Sequence, residues 1–213
     1  MEIAVLDDIS LAEATRILAE RDPDLAGVVQ RYGTPPMWSR PPGFATLIRI
    51  ILEQQVSLAS ALAAFNRLRA RLGAAEGQEL SPGEFLTLDD AELKAIGFSR
   101  QKTRYARLLA ETLHAGRLDL AGLEKLEDDA VRACLVELKG IGNWSADIYL
   151  LMALRRPDVW PRSDLALISA VARLKKLSAP PSPQEFAQIG EAWRPYRSVA
   201  ARLAWFEYLG GKP

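Results

Sequence analysis

The chain has 213 residues, of which 49% are hydrophobic and 25% charged, and its 27 basic side chains balance its 27 acidic ones. This length can bury one large core or two small ones, and the composition is that of an ordinary globular protein. Zero net charge argues against a protein that binds nucleic acid by charge alone, since such binding depends on neutralised phosphates, but it leaves room for a basic patch. The single cysteine, Cys134, excludes an internal disulfide bond and a cluster of thiolate metal ligands.

The sequence also bears on the compartment. No apolar run approaches the roughly 20 residues that a membrane span needs, and residues 1–10 lack the basic start and apolar stretch of a signal peptide. We therefore expect a cytoplasmic protein with no membrane partner. Candidates for a basic patch, each of which is by default solvated helix surface, are Arg67, Arg69, Arg71, Arg100, Lys102, Arg104 and Arg162.

Helix start and stop signals divide the chain into about ten segments, and no stretch alternates like a β-strand. Capping-box patterns predict helix starts at Ser10, Ser81, Asp89 and Ser182. Asp22 followed by Pro23 predicts another start, with Gly33 as its stop. Further helices are predicted over residues 44–53, 57–72, 99–114, 128–137, 143–154, 164–176 and 198–209. The predicted fold class is therefore all-α.

The stretch from Leu138 to Ala146 reads LKGIGNWSA and predicts a tight turn between two of these helices. Gly140 and Gly142 allow positive φ angles and a close approach to the backbone. Asn143 is predicted to cap the second helix, whose free N–H groups would then point outward at its positive end. A turn of this kind binds anions, phosphate above all. The same pattern also occurs as a plain connection between two helices.

Four matches in this sequence carry a resemblance to a known family. They are LKGIGNWSA, the segment WPRSDLAL at residues 160–167, ILEQQVS at 51–57, and WRPYRS at 193–198 with Trp205 after it. Spread over about residues 36–210, they resemble the helix-hairpin-helix superfamily of DNA glycosylases, which is named for its hairpin, a Gly/Pro-rich loop and a catalytic aspartate. Within that superfamily, GIGNWSA most resembles the alkylbase branch, DNA-3-methyladenine glycosylase II.

The resemblance implies one compact unit of two helical lobes with a central cleft. Residues 43–156, including the hairpin at 138–146, would form one lobe, and residues 1–42 with 157–213 would form the other. The hairpin and Asp164 would then face each other across the cleft. Some members carry an additional N-terminal β-rich domain, for which we expect no room in this chain.

The resemblance also implies the residues of the site. Asp164 matches the catalytic aspartate, although an aspartate at this point is also an ordinary N-cap, and the two roles are compatible. Gln55 matches the side chain that enters the duplex where the target nucleotide leaves, and Gln54 is assigned to the same wedge. The base pocket is assigned to Trp144, Trp205, Ile148, Leu165 and Trp38, of which Ile148 and Leu165 depart from the aromatic residues often found there. The phosphate-binding hairpin is assigned to Lys139, Gly140, Gly142, Asn143 and Ser145.

The hairpin of the family often binds a sodium or potassium ion through backbone carbonyls. Here these would be the carbonyls of Val136, Leu138 and Ile141. We expect no other cofactor to be required. The expected partner of a monomeric protein is double-stranded DNA that contains alkylated bases.

These assignments predict a monofunctional DNA glycosylase that excises cationic purines, such as 3-methyladenine and 7-methylguanine, in base excision repair. A carboxylate at a helix N-terminus is stabilised as the anion and can stabilise the oxocarbenium-like transition state of glycosidic cleavage. A cationic base leaves without protonation, so no acid partner is needed. Trp144 stands where bifunctional members hold a lysine nucleophile, and one cysteine cannot ligate the iron–sulfur cluster of other branches.

Two alternatives stay open at this point. The chain could be a non-catalytic DNA-lesion-binding protein that uses the hairpin to hold phosphate. It could also be an all-α interaction scaffold in which the Gly-x-Gly segment is only a turn.

Overall fold

The computed structural model describes residues 5–75 and 78–212, and within these ranges every helix is an α-helix or a 3-10 helix and no strand occurs. The predicted all-α class is confirmed. The twelve α-helices of the described residues are α1 (Asp8–Arg21), α2 (Pro23–Tyr32), α3 (Phe44–Glu53), α4 (Leu58–Arg71), α5 (Pro82–Leu86), α6 (Asp90–Ile96), α7 (Arg100–His114), α8 (Asp128–Val136), α9 (Asn143–Met152), α10 (Leu165–Leu174), α11 (Pro183–Glu191) and α12 (Arg197–Tyr208). A short 3-10 helix covers Gly122–Lys125. None of the helices described is both long and apolar enough to cross a bilayer.

The chain divides into two compact units. Unit 1 contains the described residues of 1–39 and 150–213, and unit 2 contains those of 40–149. The second border lies inside α9, whereas the sequence placed a lobe border at 156. The predicted pair of lobes and the cleft between them stay a prediction.

Unit 2 is organised on α3. Eight of the ten residues of this helix are buried, as its nearly continuous apolar sequence predicts. It packs against α4 and α7, and the ring of Phe44 at its start lies 5.7 Å from the ring of Phe85. Each fully buried aliphatic side chain such as Leu47 or Ile48 stabilises the fold by about 1.5–3 kcal/mol. The end of α3 is therefore a rigid support for the turn that follows it.

Unit 1 is organised on α12. Its residues from Arg197 to Phe206 are all buried, and the helix packs against α1, α2 and α10. A second cluster joins the aromatic ring of Trp160 to those of Phe186 at 4.8 Å and Trp193 at 5.3 Å. These contacts fix the start of α10, which follows Trp160 by five residues.

Most predicted helix starts are confirmed, and the caps predicted at Ser10 and Asn143 are wrong. Asp22, Ser57, Asp89, Ser99 and Ser182 each cap a helix with a side-chain oxygen. Ser10, however, is not an N-cap. Asp7 caps α1 instead, and the Ser10 hydroxyl accepts from the Asp7 backbone N–H at 2.8 Å. Aspartate is as good an N-cap as serine, so the box forms three residues earlier with serine as the reciprocal partner. Ser81 precedes α5 as predicted but makes no side-chain cap hydrogen bond.

A buried ion pair joins α2 to the end of α10 in unit 1. The Asp22 carboxylate accepts from Lys175 Nζ at 2.7 and 2.8 Å and from the indole N–H of Trp193 at 2.7 Å. Burial on its own raises the pKa of Asp22, but the hydrogen bonds from Lys175 and Trp193 outweigh it, so the pKa is lowered. The same pairing outweighs burial at Lys175 and raises the pKa of its ammonium group.

We predict that Asp22→Asn lowers the free energy of unfolding by about 1–3 kcal/mol at pH 7, because asparagine keeps the cap but leaves Lys175 without its strongest partner. Because the pKa of Asp22 is lowered on folding, its stabilisation is present above the ordinary aspartate pKa of about 3.9. It is lost as the pH falls from there through the folded value. Urea unfolding between pH 3 and pH 7 measures both effects.

The control for this prediction is Asp8→Asn, the same change at an exposed aspartate in the first turn of α1. The control should keep the full acid sensitivity of the wild type, whereas Asp22→Asn should lose part of it. Equal acid sensitivity of the wild type and Asp22→Asn would contradict the assignment.

Candidate DNA-binding and catalytic sites

Unit 2 contains the two helices and the tight turn between them that Gly140 and Gly142 predict. Helix α8 ends at Val136 and α9 begins at Asn143. The turn between them is closed by two backbone hydrogen bonds, from Leu138 N–H to the Leu135 carbonyl at 3.1 Å and from Ile141 N–H to the Leu138 carbonyl at 2.9 Å. Ile141 is buried and anchors the turn. The predicted hairpin is confirmed.

The two glycines of the hairpin have different structural roles. Gly140 has a φ of 98°, and a Cβ at this position would lie 2.2 Å from the ring of Tyr105 on α7. A Cβ on Gly142 would meet no heavy atom of the described residues within 4 Å, and Gly142 is exposed. Gly140 therefore lets α7 pack against the turn. Gly142 keeps the N-terminus of α9 open to a ligand.

Asn143 is not the cap of α9. It is the first helical residue, and Ala146 N–H donates to the Gly142 carbonyl at 3.0 Å, which makes Gly142 the N-cap residue. Glycine is an accepted N-cap, and using it moves Asn143 one position into the helix. Asn143 and Lys139 are both exposed, on the two sides of Gly142.

Gln54 and Ser145 lie at the hairpin in a way the sequence did not indicate. The side-chain amide of Gln54 donates to the Gly140 carbonyl at 2.8 Å and to Ser145 Oγ at 3.1 Å. Ser145 is 2% exposed, so its hydroxyl lies beneath the turn. The Gln54 amide is thus bound within unit 2 and does not project from the surface as a wedge residue would. Ser145, which the resemblance assigns to the phosphate-binding hairpin, is therefore buried.

Gln55 is exposed in the turn between α3 and α4, with a φ of 57°. This left-handed conformation is uncommon for a residue with a side chain and directs Gln55 away from the path of α3. Its neighbour Val56 is also exposed, at 46%. The turn therefore presents one amide and one apolar side chain at the surface of unit 2.

The end of α3 is held by charged groups that the sequence analysis missed. Lys102 Nζ donates to the Leu52 carbonyl at 2.7 Å, and burial lowers the pKa of Lys102. Glu53 is buried and accepts two hydrogen bonds from Arg40, each at 2.8 Å, and one from Arg49 at 3.2 Å. The spacing of Arg49 and Glu53, four residues apart on one helix, was the available signal for this cluster.

A second ion pair joins the two hairpin helices. Arg132 Nε on α8 donates to Asp147 Oδ1 on α9 at 2.9 Å, and Arg132 also pairs with Asp129 at 2.6 Å. Burial lowers the pKa of Arg132, but the charge of Asp147 outweighs it and the pKa is raised. This pair fixes the angle between the helices that the turn connects.

The candidate basic residues fall into two groups. Several are engaged within unit 2: Arg67 donates to the Ile96 carbonyl at 2.8 Å, Arg69 to the Gln78 carbonyl at 2.9 Å, and Arg71 pairs with Glu92. Lys102 belongs with them. Arg67 and Arg71 are nevertheless exposed, as are Arg100, Arg104 and Arg162.

Unit 1 contains Asp164, which caps α10 as predicted. Its Oδ1 accepts from Leu167 N–H at 2.6 Å, and its own N–H donates to the Pro161 carbonyl at 3.1 Å. Asp164 is 8% exposed, whereas Leu165 beside it is 79% exposed. The segment therefore holds a buried carboxylate of fixed orientation among exposed neighbours.

The aromatic residues assigned to the pocket in unit 1 lie near α12. Trp38 has a φ of 49°, and its ring meets the ring of Phe206 edge-on at 6.1 Å. Trp205, the preceding residue, is 9% exposed. In unit 2, Trp144 is half-buried and Ile148 is buried, both on α9. The pocket role of these residues stays a prediction.

Arg202 supports the loop of Trp38 and was not found from the sequence. Its guanidinium donates to the carbonyls of Met37 at 2.9 Å, Ser198 at 3.1 Å and Leu151 at 2.8 Å. Burial lowers the pKa of Arg202 to about 9, which leaves it protonated at neutral pH. Three carbonyl dipoles compensate the buried charge and tie Met37 to α12.

The comparisons with known proteins agree with this picture. Residues 48–195 match the HhH-GPD superfamily of base excision DNA repair proteins. DNA-3-methyladenine glycosylase 1 of Schizosaccharomyces pombe is 29% identical over 163 residues, which are 76% of this chain and 71% of that protein.

Two solved structures are similar over nearly the whole chain. The Schizosaccharomyces pombe 3-methyladenine DNA glycosylase Mag1, in complex with abasic DNA, has a TM-score of 0.84 at 28% identity and covers 91% of this chain and 95% of its own. The DNA-3-methyladenine glycosidase of Bacillus halodurans has a TM-score of 0.76 at 27% identity and covers 98% and 93%. The chain therefore belongs to the HhH-GPD superfamily of base excision DNA repair proteins, and its enzyme class is that of the DNA glycosylases, which hydrolyse N-glycosidic bonds.

Proposed function

We propose that this glycosylase is monofunctional and removes cationic alkylated purines, such as 3-methyladenine and 7-methylguanine, from duplex DNA. The observation that carries the proposal is Asp164, a buried carboxylate held at the start of α10. Its position in the chain matches the catalytic aspartate of the family, and relatives named 3-methyladenine glycosylases support the substrate class.

The chemistry follows from the charge of the substrate. When the bond from C1′ to the purine nitrogen breaks, its electron pair moves to the base and cancels the positive charge, so the base needs no proton. The sugar becomes cationic, and the Asp164 carboxylate stabilises that charge or orients the water that attacks C1′. The water oxygen bonds to C1′ and releases its proton, leaving an abasic sugar. Trp144 stands at the position of the lysine nucleophile in bifunctional members, so the strand is left intact.

Aromatic side chains suit a cationic base. A positive ring is attracted to an aromatic face by roughly 0.5–2 kcal/mol. The family resemblance assigns the aromatic residues of the proposed pocket to Trp38, Trp144 and Trp205, and its aliphatic walls to Ile148 and Leu165. The base has to leave the duplex to reach them, at a cost of a few kcal/mol that pocket contacts offset.

Unit 2 supplies the proposed DNA contacts. The N–H groups at the start of α9 bind a backbone phosphate next to Gly142, and the exposed Lys139 and Asn143 add polar contacts. Gln55 enters the duplex at the vacated position, where its amide can hydrogen-bond the orphaned base.

A sodium or potassium ion bound at the hairpin would strengthen the proposed phosphate contact. Backbone carbonyls suit such hard cations, and the Leu138 carbonyl, although it accepts from Ile141 N–H, has a second lone pair to offer. The residues therefore fit the ion. The carbonyls of Val136, Leu138 and Ile141 would hold it, and its charge would attract phosphate.

We predict that Asp164→Asn reduces base excision at least about hundredfold, because the neutral amide cannot stabilise the sugar cation. Folding should be retained, since asparagine caps a helix as well as aspartate does. Release of 7-methylguanine and affinity for an abasic-site duplex are measured together. The control is Asp119→Asn, the same change at an exposed residue. Retained turnover in Asp164→Asn would contradict the assignment.

The hairpin glycines offer a matched pair of variants. We predict that Gly142→Ala lowers the free energy of unfolding by less than about 1 kcal/mol, the difference between glycine and alanine at an N-cap, but weakens binding to an abasic-site duplex by roughly three- to tenfold, because its methyl group stands where the phosphate approaches. Gly140→Ala should instead lower the free energy of unfolding by about 2 kcal/mol or more, because it collides with Tyr105 at a positive φ.

Fluorescence anisotropy and thermal denaturation of the two glycine variants separate these effects. Wild-type affinity in Gly142→Ala would show that the phosphate lies elsewhere.

A further inference from the structure

Gln54 connects two elements of unit 2 that have separate roles in the proposed function. One is the wedge turn, residues 53–57, which presents Gln55. The other is the hairpin turn, residues 137–142, which holds Gly140 and Gly142. Because Gln54 precedes Gln55 directly and its amide contacts Gly140, a single side chain bridges the two turns.

We propose that Gln54 is a positioning residue that fixes the wedge turn against the hairpin turn, so that Gln55 enters the duplex at a set distance from the phosphate held by the hairpin. This inference rests on the proposed DNA contacts of both turns. It assigns Gln54 a role different from insertion into DNA.

The chemistry of the contact requires an amide. Its NH2 group has two hydrogens, and these meet two acceptors, the Gly140 carbonyl at 2.8 Å and Ser145 Oγ at 3.1 Å. One acceptor lies in the hairpin turn and the other in the first turn of α9. Gln54 therefore forms hydrogen bonds to the hairpin on both sides of Gly142, and Gly142 itself remains uncovered.

The residues directly before Gln54 are also fixed. The Leu52 carbonyl is held by Lys102, and the Glu53 carboxylate by Arg40. With Gln54 bound to the hairpin, three consecutive residues before Gln55 have fixed partners. The direction in which Gln55 leaves the backbone, at a φ of 57°, follows from that anchoring.

The structure also indicates that the contact is separable from folding. Gln54 is half-buried, and neutral hydrogen bonds of this kind contribute modestly to stability. Ser145 and eight of the ten residues of α3 are buried. Loss of the amide should therefore change the geometry between the two turns more than the stability of the protein.

The test compares Gln54→Met, which keeps the shape and removes both donors, with Gln30→Met, the same change at an exposed position of α2. For Gln54→Met we expect the affinity for an abasic-site duplex to fall about tenfold. We also expect the amides of Ile141 and Ala146, which are hydrogen-bonded in the turn and at the start of α9, to exchange hydrogen about tenfold faster in the free protein. Gln30→Met should change neither. Gln54→Glu, which replaces the NH2 group by an acceptor, should behave like Gln54→Met.

A double-mutant cycle adds a readout that a merely structural role would not move. Because Gln54 acts through the hairpin, the losses of affinity in Gln54→Met and Ser145→Ala should not add, whereas those of Gln54→Met and Lys139→Ala should add. Unchanged affinity and unchanged hairpin exchange in Gln54→Met would overturn the inference. So would a general loss of protection throughout unit 2.

None of these readouts requires base excision. If the wild type releases no alkylated purine but the exchange and affinity change as expected, the proposed substrate is wrong and the inference on Gln54 stands. If excision occurs and Gln54→Met is indistinguishable from the wild type, the proposed substrate stands and the inference on Gln54 is wrong.

Discussion

The proposed chemistry depends on the hydrogen bond, 2.6 Å long, from Leu167 N–H to the carboxylate of Asp164. A side chain that caps a helix is held in one orientation, and a carboxylate needs that constraint to act on a charge that forms at one atom. The position of the cap depends in turn on the packing of α10 against α12, whose buried face runs from Arg197 to Phe206. The same local interaction therefore supplies stability and, in the proposed function, the orientation of the catalytic carboxylate.

In unit 2, packing contacts likewise hold the residues of the proposed DNA-binding site. Gly140 lacks a side chain so that Tyr105 can pack against the hairpin, and the Gly140 carbonyl accepts a hydrogen bond from Gln54. Ion pairs from Arg132 to Asp147 and from Arg40 to Glu53 hold the helices on either side. The surface around Gly142 remains open. A phosphate would meet a rigid set of N–H groups there.

Much of the fold could be predicted because helix boundaries depend on local chemistry. Asp22, Ser57, Asp89 and Ser182 cap as their neighbours in sequence indicate. Ser10 and Asn143 were misplaced because an equally good cap lay close by, so propensity could not choose between them. The contacts of Gln54 with Gly140, Lys102 with Leu52 and Arg202 with Met37 join residues 50 or more positions apart, and only the three-dimensional structure brings them together. The catalytic assignment of Asp164 came from its family resemblance, since its local pattern is that of any N-cap.

The most direct test of the central claim is to incubate the wild-type protein with a duplex that contains a single 7-methylguanine. Chromatography detects the free base, and a gel shows whether the strand stays whole until alkali cleaves the abasic site. The proposed function predicts free 7-methylguanine and an intact strand before alkali treatment. Tight binding of the lesion without release of the base would contradict it and favour a non-catalytic reader of damage. Cleavage of the strand without alkali would contradict the monofunctional chemistry.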